Sequence, residues 1–424
     1  MTELTLKRPK NLAPDQTWTE KFALSSEPIS LEDTISPEFF KLETEAVFRR
    51  SWLYVGRAER VSVPGAFFTK EFETLTTSVL ITRDNDGKVR AFHNVCPHRG
   101  NKLVWDTYAE NEVSGRCRRF VCKFHGVAFG PGGSVEVLTD KVAWLDGQGA
   151  RMQLADIPCE LWNGFIFINL TPGGPKQTLR EFIGEEYWSD FDVYPFDKMT
   201  QWYSFRSDAN ANWKALMDGF SEVYHAATTH TLPFAFPPLE NVPVGISHMN
   251  DFAVRGKHRY YLARGVPENP FRFPYERETN AMAIGPRYKF PFPCEIPEVA
   301  NAVGLENWGN STNIFWPNLF IQFYAPGWYL TYRMMPLATD KMRFELDIYM
   351  PPPQNFSEAL AQKSAITQFL EAALQDFSLL EAQQQGLKTR AFDKYWLTDQ
   401  EVLVRQFHKQ IQETVAEYQA EIAG

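Results

Sequence analysis

The segments that decide how this chain folds are Cys96-Pro97-His98-Arg99-Gly100 and Cys122-Lys123-Phe124-His125-Gly126. Each supplies one cysteine and one histidine, spaced C-x-H in the first and C-x2-H in the second, with 23 residues between His98 and Cys122. Because the chain has only 8 His and 5 Cys, two such pairs are not expected by chance. The pattern predicts a metal-binding set.

The way the ligands are grouped separates two kinds of metal site. Zinc accepts a Cys2His2 set, but zinc fingers usually group their ligands as like pairs. Here each segment offers one thiolate and one imidazole. This suits a two-iron cluster in which the cysteines hold one iron and the histidines hold the other, the Rieske arrangement. Zinc remains an alternative. Residues 130–133, Gly-Pro-Gly-Gly, are expected to form a third loop over the cluster.

A second set of ligand-type residues lies in a predicted helix over 209–227. Glu222 and His225 are three residues apart, so they share one helix face. His230 lies five residues after His225, about 140° around a regular helix. The helix must therefore end or bulge before His230 if both imidazoles are to bind one metal. Two nearby histidines taken alone are equally compatible with a polar surface.

Asp376 is the best candidate for a third ligand. It falls on the apolar stripe of a helix predicted over 357–385 and ending at Gly386. A carboxylate on an apolar stripe is costly unless it is paired or bound to a metal. Two histidines and one carboxylate leave coordination positions open for dioxygen, as in non-haem Fe(II) oxygenases.

The remaining pattern predicts an α+β chain. Short β-type runs from about residue 62 to 169 predict an N-terminal all-β domain, and the cysteine and histidine motifs within it indicate an all-β Rieske [2Fe-2S] domain. Strands over 313–350 and helices over 357–385 and 399–422 predict a C-terminal α+β catalytic domain, an antiparallel sheet with flanking helices. We expect residues 1–44 to pack on the catalytic domain, residues 45–175 to form the Rieske domain and residues 176–424 the catalytic domain. Residues 232–310 are expected to be irregular with a few strands.

Composition restricts the function classes. The chain has 43 basic and 52 acidic residues, a net charge of −9, which argues against a nucleic-acid or membrane-surface partner. It contains no apolar run of membrane-spanning length and no visible secretory signal. Five cysteines are not a disulfide framework, so a cytoplasmic location is expected. Aromatic residues make up 15% of the chain and serve both cores and apolar pockets.

Taken together, the motifs resemble those of the Rieske non-haem iron ring-hydroxylating oxygenases, specifically the large (alpha) subunit. The C-P-H-R-G and C-x-x-H-G loops, the N-W-K…E-x-Y-H-x4-H segment and the Q-D-x4-E-x3-Q-G helix occur in the family's order, from about Glu43 to about Arg390. The sequence departs from the family's usual pattern at Glu222, where Asp is frequent, at Val127, where Trp is common, and in the longer spacing between the cluster motifs.

The resemblance implies a role for each candidate residue. It implies that the [2Fe-2S] cluster is bound by Cys96, His98, Cys122 and His125. It also implies that a mononuclear Fe(II) is bound by His225, His230 and Asp376. Glu222 stands where the family has a carboxylate that bridges a cluster histidine of one subunit to an iron histidine of its neighbour. Asp218 is expected near the iron.

The resemblance also implies how the enzyme works with other components. Electrons would come from NAD(P)H through a separate reductase, with or without a ferredoxin, and the chain has no G-x-G-x-x-G fingerprint of its own. A homotrimer is implied, with or without a beta subunit. O2 would hydroxylate an apolar or aromatic small molecule. The alternative is an O- or N-demethylase or monooxygenase, including one for a quaternary amine, whose cation aromatic side chains could bind.

Two further alternatives belong to other classes of protein. The first is a Rieske electron carrier whose second domain holds no catalytic iron. The second is a Cys2His2 zinc module joined to a partner-binding domain.

Overall fold

The computed structural model describes residues 12–230, 248–264, 308–324 and 327–423. The chain divides into two compact units. One combines Met1–Glu43 with Ser189–Gly424, and the other is Thr44–Trp188. The predicted class, α+β with an all-β domain towards the N-terminus, agrees with this architecture. In the parts of the chain covered by the structure, no helix is both long and apolar enough to cross a membrane.

The N-terminal segment consists of short elements that contact the end of the chain. They are α1 (Trp18–Lys21), β1 (Ile29–Ser30), α2 (Glu32–Ile35) and α3 (Pro37–Glu43). The Asp399 carboxylate accepts hydrogen bonds from the backbone N–H groups of Trp18 and Thr19, at 3.0 and 2.8 Å. A carboxylate at a helix start satisfies donors that have no partner within the helix.

The unit Thr44–Trp188 is built from three small antiparallel sheets. The hairpin turn predicted at 84–87 is present, with the Asp84 carboxylate accepting from the backbone N–H groups of Asp86 and Lys88 and with Gly87 at φ +81°. The strands are β2 (Trp52–Arg57), β3 (Ala66–Phe72), β4 (Thr77–Arg83), β5 (Val89–His93), β6 (Ser114–Arg116), β7 (Phe120–Val121), β8 (Ala128–Phe129), β9 (Val135–Val137), β10 (Asp156–Ile157), β11 (Cys159–Trp162) and β12 (Phe165–Asn169).

This unit extends to Trp188 rather than to the predicted residue 175. Two helices, α4 (Leu179–Ile183) and α5 (Glu185–Phe191), follow the predicted boundary. The Leu179 N–H bonds to the Glu160 carboxylate on β11 at 3.3 Å, and the rings of Trp162 and Trp188 lie 6.1 Å apart. These contacts hold the start of the expected catalytic domain on the β unit.

The other unit is organised around one seven-stranded antiparallel sheet, in the order β13-β19-β18-β17-β16-β15-β14. Its strands are β13 (Gln201–Ala209), β14 (Asp251–Arg255), β15 (His258–Arg264), β16 (Trp308–Phe315), β17 (Leu319–Tyr324), β18 (Trp328–Ala338) and β19 (Lys341–Met350). The strands predicted within 313–350 are confirmed. Of the stretch 232–310, residues 231–247 and 265–307 lie outside the described residues.

The helices of this unit differ from prediction in two places. They are α6 (Trp213–Gly219), α7 (Ala226–Thr229), α8 (Phe356–Lys388) and α9 (Val402–Ala423), and a two-residue strand β20 (Lys394–Tyr395) pairs with β1. The helix predicted over 209–227 is wrong, because the chain leaves helical geometry after Gly219. The Ser221 hydroxyl donates to the Met217 carbonyl there, so a local side-chain bond satisfies the helix end. The predicted stop at Gly386 is also wrong, since α8 continues to Lys388.

Candidate metal centres

The break between α6 and α7 brings the two candidate iron histidines to one point. His225 immediately precedes α7 and His230 immediately follows it. The Nε2 atoms of His225 and His230 lie 3.4 and 3.2 Å from the same Oδ1 of Asp376, which is in the middle of α8. One ligand atom from each of the three residues fits within 4.8 Å of the others. The geometry therefore brings together the predicted two-histidine, one-carboxylate set.

Hydrogen bonds at the other ring nitrogens fix the orientation of both imidazoles. His225 Nδ1 bonds to the Glu222 carboxylate, and His230 Nδ1 lies 3.1 Å from Gln375 Oε1. Because these bonds hold each ring through Nδ1, a bound metal would displace a proton from each Nε2 and take its place beside Asp376. Gln375 was not predicted, and its only signal in the sequence is that it precedes Asp376.

Further hydrogen bonds tie the two ligand-bearing segments together. The backbone N–H of Asn212, the residue that caps α6, bonds to Gln384 Oε1 on α8 at 2.8 Å. The Asn210 N–H bonds to Glu381 on the same helix at 3.0 Å. These contacts fix α8 against the entry to α6, so the carboxylate and the histidines are positioned before any metal binds.

The electrostatics of the site favour a cation. Burial disfavours protonation of His225, but the Asp376 and Glu222 carboxylates outweigh it and raise its pKa to about 10. Burial alone would raise the pKa of Asp376, but hydrogen bonds from His225 and His230 outweigh burial and lower this pKa below its usual value. Two imidazoles and a carboxylate in a largely buried site are a donor set that suits Fe(II). The residues present therefore fit a mononuclear iron.

An aromatic cluster, with three members on sheet strands and one on α8, lies beside this site. The ring of Phe369, two turns before Asp376 on α8, lies 6.0 Å from Tyr324, 6.2 Å from Trp328 and 5.7 Å from Tyr332. Burial raises the pKa of both tyrosines, and the Asp376 charge adds to this, so their hydroxyls are neutral. We call Tyr324, Trp328, Tyr332 and Phe369 the aromatic wall.

The four cluster candidates also converge. Cys96 and Cys122 are 1% and 2% exposed and belong to the core of the β unit. Burial and the neighbouring Cys122 thiol raise the pKa of Cys96. The rings of His98 and His125 lie edge to face, 4.6 Å apart. His98 Nδ1 is buried without a hydrogen-bond partner among the described residues. Two inner thiols, two paired imidazoles and a buried nitrogen without a partner fit a Rieske cluster.

Asp218 contacts a histidine on α9 that was not predicted. Its Oδ2 lies 3.0 Å from Nε2 of His408 on α9, and His408 Nδ1 lies 2.8 Å from Asp33 on α2. Burial opposes protonation of His408, but the two carboxylates raise its pKa to about 10. This Asp33–His408–Asp218 triad connects the N-terminal segment and the C-terminal helix to α6.

Replacing His408 by Gln should destabilise the protein and change how its stability depends on pH. The pKa of His408 in the folded protein lies above its ordinary value of 6.5. The stabilisation that protonated His408 provides is therefore complete below pH 6.5 and is lost as pH rises towards 10. Urea unfolding at pH 7 should show that the free energy of unfolding falls by about 3–5 kcal/mol, since two buried carboxylates lose their cation. The decline in stability between pH 7 and 9.5 should become shallower. Lys409→Gln, at an exposed neighbour, serves as the control; equal behaviour of both variants would contradict the assignment.

Comparison with known proteins identifies the family. The model of the Rieske [2Fe-2S] domain matches residues 51–146. The model of the ring hydroxylating alpha subunit (catalytic domain) matches residues 196–417, more than half of the chain. The chain belongs to the ring-hydroxylating alpha subunits. It is accordingly a Rieske oxygenase, an oxidoreductase that takes a [2Fe-2S] cluster and a mononuclear iron. A zinc module and a carrier without catalytic iron are both inconsistent with this pair of matches.

Individual relatives of this Rieske oxygenase differ in substrate. Choline monooxygenase of Spinacia oleracea is 24% identical over 387 residues, covering 89% of this chain and 76% of that protein. The large oxygenase component of the naphthalene 1,2-dioxygenase system of Ralstonia sp is 31% identical over 199 residues, 46% of this chain and 42% of that protein. A solved quaternary ammonium Rieske monooxygenase, described with carnitine oxidation and inter-subunit electron transfer, has the same fold, with a TM-score of 0.68, 20% identity and coverage of 92% and 95%.

Proposed function

We propose that this Rieske oxygenase is the terminal component of a multicomponent monooxygenase that acts on a quaternary ammonium compound. The aromatic wall beside Asp376 carries the proposal, because aromatic faces attract quaternary ammonium cations. The choline monooxygenase match, which spans most of the chain, supports it. An apolar aromatic substrate, which we expected first from the sequence, is the second candidate and is supported by the naphthalene dioxygenase relatives.

In this proposal each metal-ligand residue keeps the role that the resemblance implied. Cys96, His98, Cys122 and His125 hold the cluster. The mononuclear iron is held by His225, His230 and Asp376. When bound, the iron supplies the activation of O2.

The overall reaction takes one O2, two electrons and two protons, places one oxygen atom in a substrate C–H bond and releases the other as water. A hydroxyl on a carbon attached to the quaternary nitrogen lets the C–N bond break: the bonding pair leaves with the nitrogen as a tertiary amine, the hydroxyl releases its proton, and its carbon becomes an aldehyde.

Glu222 is proposed to link the two metal centres across a subunit boundary. Its two carboxylate oxygens bond to the ring and to the backbone N–H of His225. A group held so firmly against an iron ligand is suited to fix the path of an electron that arrives from a neighbouring cluster histidine. The proposal therefore includes a homotrimer and a separate reductase that oxidises NAD(P)H. Inter-subunit electron transfer in the solved quaternary ammonium relative supports this part.

A matched pair of compounds tests the substrate class. We expect choline or carnitine to give product coupled to O2 uptake when a reductase supplies electrons. The neutral carbon isostere of choline, 3,3-dimethylbutan-1-ol, should bind about 30-fold more weakly, since a desolvated cation–π contact is worth about 2 kcal/mol. Naphthalene should give no coupled product.

A conservative variant in the aromatic wall completes the test. Phe369→Leu keeps an apolar side chain but removes the ring, so it should weaken binding of the cation and leave binding of the neutral isostere unchanged. Equal loss for both compounds, or coupled turnover with naphthalene alone, would contradict the quaternary ammonium proposal in favour of the apolar aromatic one.

A further inference from the structure

A segment outside both metal-binding loops contacts both cluster histidines. The Thr139 hydroxyl donates to the backbone carbonyl of His125 at 2.5 Å. The indole N–H of Trp144 donates to the Thr139 carbonyl at 3.1 Å, and the Trp144 ring lies 5.0 Å from the ring of His98. Trp144 therefore contacts His98 directly and His125 through Thr139.

Close packing fixes this indole in place. A Cβ added at Gly149 would lie 2.6 Å from Trp144 Cδ2, so the ring lies directly against the glycine backbone. A Cβ added at Gly126, the residue after His125, would lie 3.0 Å from the Thr139 methyl. Trp144 also packs on the core cluster that contains Cys96 and Cys122.

Trp144 borders both a cavity and the ring of His98. A cavity of about 280 Å³ is lined in part by Trp144, together with Val135, Leu138 and Lys141. Removing the indole would extend this cavity to the His98 ring. Val127, where resembling proteins commonly carry a tryptophan, is fully buried and supplies no indole of its own.

We propose that Trp144 is a positioning residue for the Rieske cluster, which holds His98 and His125 in a fixed relation and keeps water from the His98 side. With two thiolates and two neutral imidazoles, the cluster gains one negative charge when it accepts an electron. An apolar cover disfavours that charge, so Trp144 lowers the reduction potential. This role concerns the electron supply and does not depend on which substrate the enzyme uses.

Redox titration of the holoenzyme followed by EPR tests the proposal. In Trp144→Ala, we expect the ratio of reduced to oxidised cluster at a fixed potential to rise about tenfold, which is 59 mV for a one-electron couple. In Trp144→Phe, which keeps a ring but loses the N–H donor, we expect a smaller rise and a broader Rieske EPR signal. Val142→Ala, in the same segment at a side chain 93% exposed, should match the wild type.

A further variant keeps the test decisive if Trp144→Ala fails to assemble its cluster. Thr139→Val keeps the side-chain shape but removes the donor to the His125 carbonyl, and we expect it to broaden the EPR signal while iron and sulfide content stay at the wild-type level. Wild-type potentials and line shapes in Trp144→Phe and Thr139→Val would overturn the proposal. So would a wild-type potential in a Trp144→Ala protein that retains its cluster.

Discussion

Replacing Asp376 by Ala should remove the mononuclear iron and leave the Rieske cluster intact. Iron content should fall from about three to about two atoms per chain, the sum of one cluster and one mononuclear site becoming the cluster alone. Asp376 provides the oxygen that both His225 Nε2 and His230 Nε2 approach, so without it the two imidazoles keep no carboxylate partner at that point. Turnover should fall more than about a hundredfold, since losing even a hydrogen-bond partner of a metal ligand costs about 10–100-fold.

The matched control for this variant is Glu371→Ala. Glu371 lies on the same helix, α8, but is exposed, so its loss should affect neither iron content nor turnover. Iron analysis and the cluster EPR signal are measured on the same preparations. Full iron content and wild-type turnover in Asp376→Ala would contradict the proposed ligand set.

Replacing Glu222 by Gln should keep both metal centres and nearly abolish coupled turnover. Glutamine keeps the side-chain length and a hydrogen-bonding oxygen. It removes the negative charge of the carboxylate that is hydrogen-bonded to the ring of His225. We expect a fall of about a hundredfold in the rate at which the reduced cluster is reoxidised by O2 in the presence of substrate. Stopped-flow absorbance in a single turnover measures this rate without a reductase.

Glu222→Asp is the matched comparison for the same experiment. Aspartate keeps the charge on a shorter side chain, so its cluster should be reoxidised faster than that of the Gln variant. If the Gln variant is reoxidised at the wild-type rate, Glu222 is not part of the electron path.

The sequence indicated which residues could bind metal because their spacing is local. Cys96, His98, Cys122 and His125 lie in two short loops, and the structure brings the two histidine rings together. Asp376 was identifiable because a carboxylate on an apolar helix stripe needs a partner. Its meeting with His225 and His230 required the chain to leave the helix, and the sequence indicated that requirement although it did not locate the break.

The errors arise where a side chain makes a contact that sequence periodicity does not contain. The apolar pattern continues past Gly219, so it predicted one helix over 209–227, but the Ser221 bond ends α6 earlier. The sequence likewise did not indicate that Asp218 bonds to His408, 190 residues later in the chain. Gln375 and Trp144 were missed, because their roles depend on histidines that are distant in sequence.

Choosing between substrate classes also needed more than the sequence. The abundance of aromatic residues suits an apolar substrate and a quaternary cation equally well. The structure places Phe369 against Tyr324, Trp328 and Tyr332 on the side of the sheet that faces Asp376's helix, and the choline monooxygenase relationship then favours the cation.

The presence of both metal centres is tested by counting iron and sulfide in anaerobically purified protein and recording its EPR spectrum before and after dithionite. We expect a Rieske signal after reduction, with about three irons and two sulfides per chain. A Rieske signal with only two irons, unchanged after incubation with Fe(II), would contradict the claim that His225, His230 and Asp376 form a mononuclear iron centre.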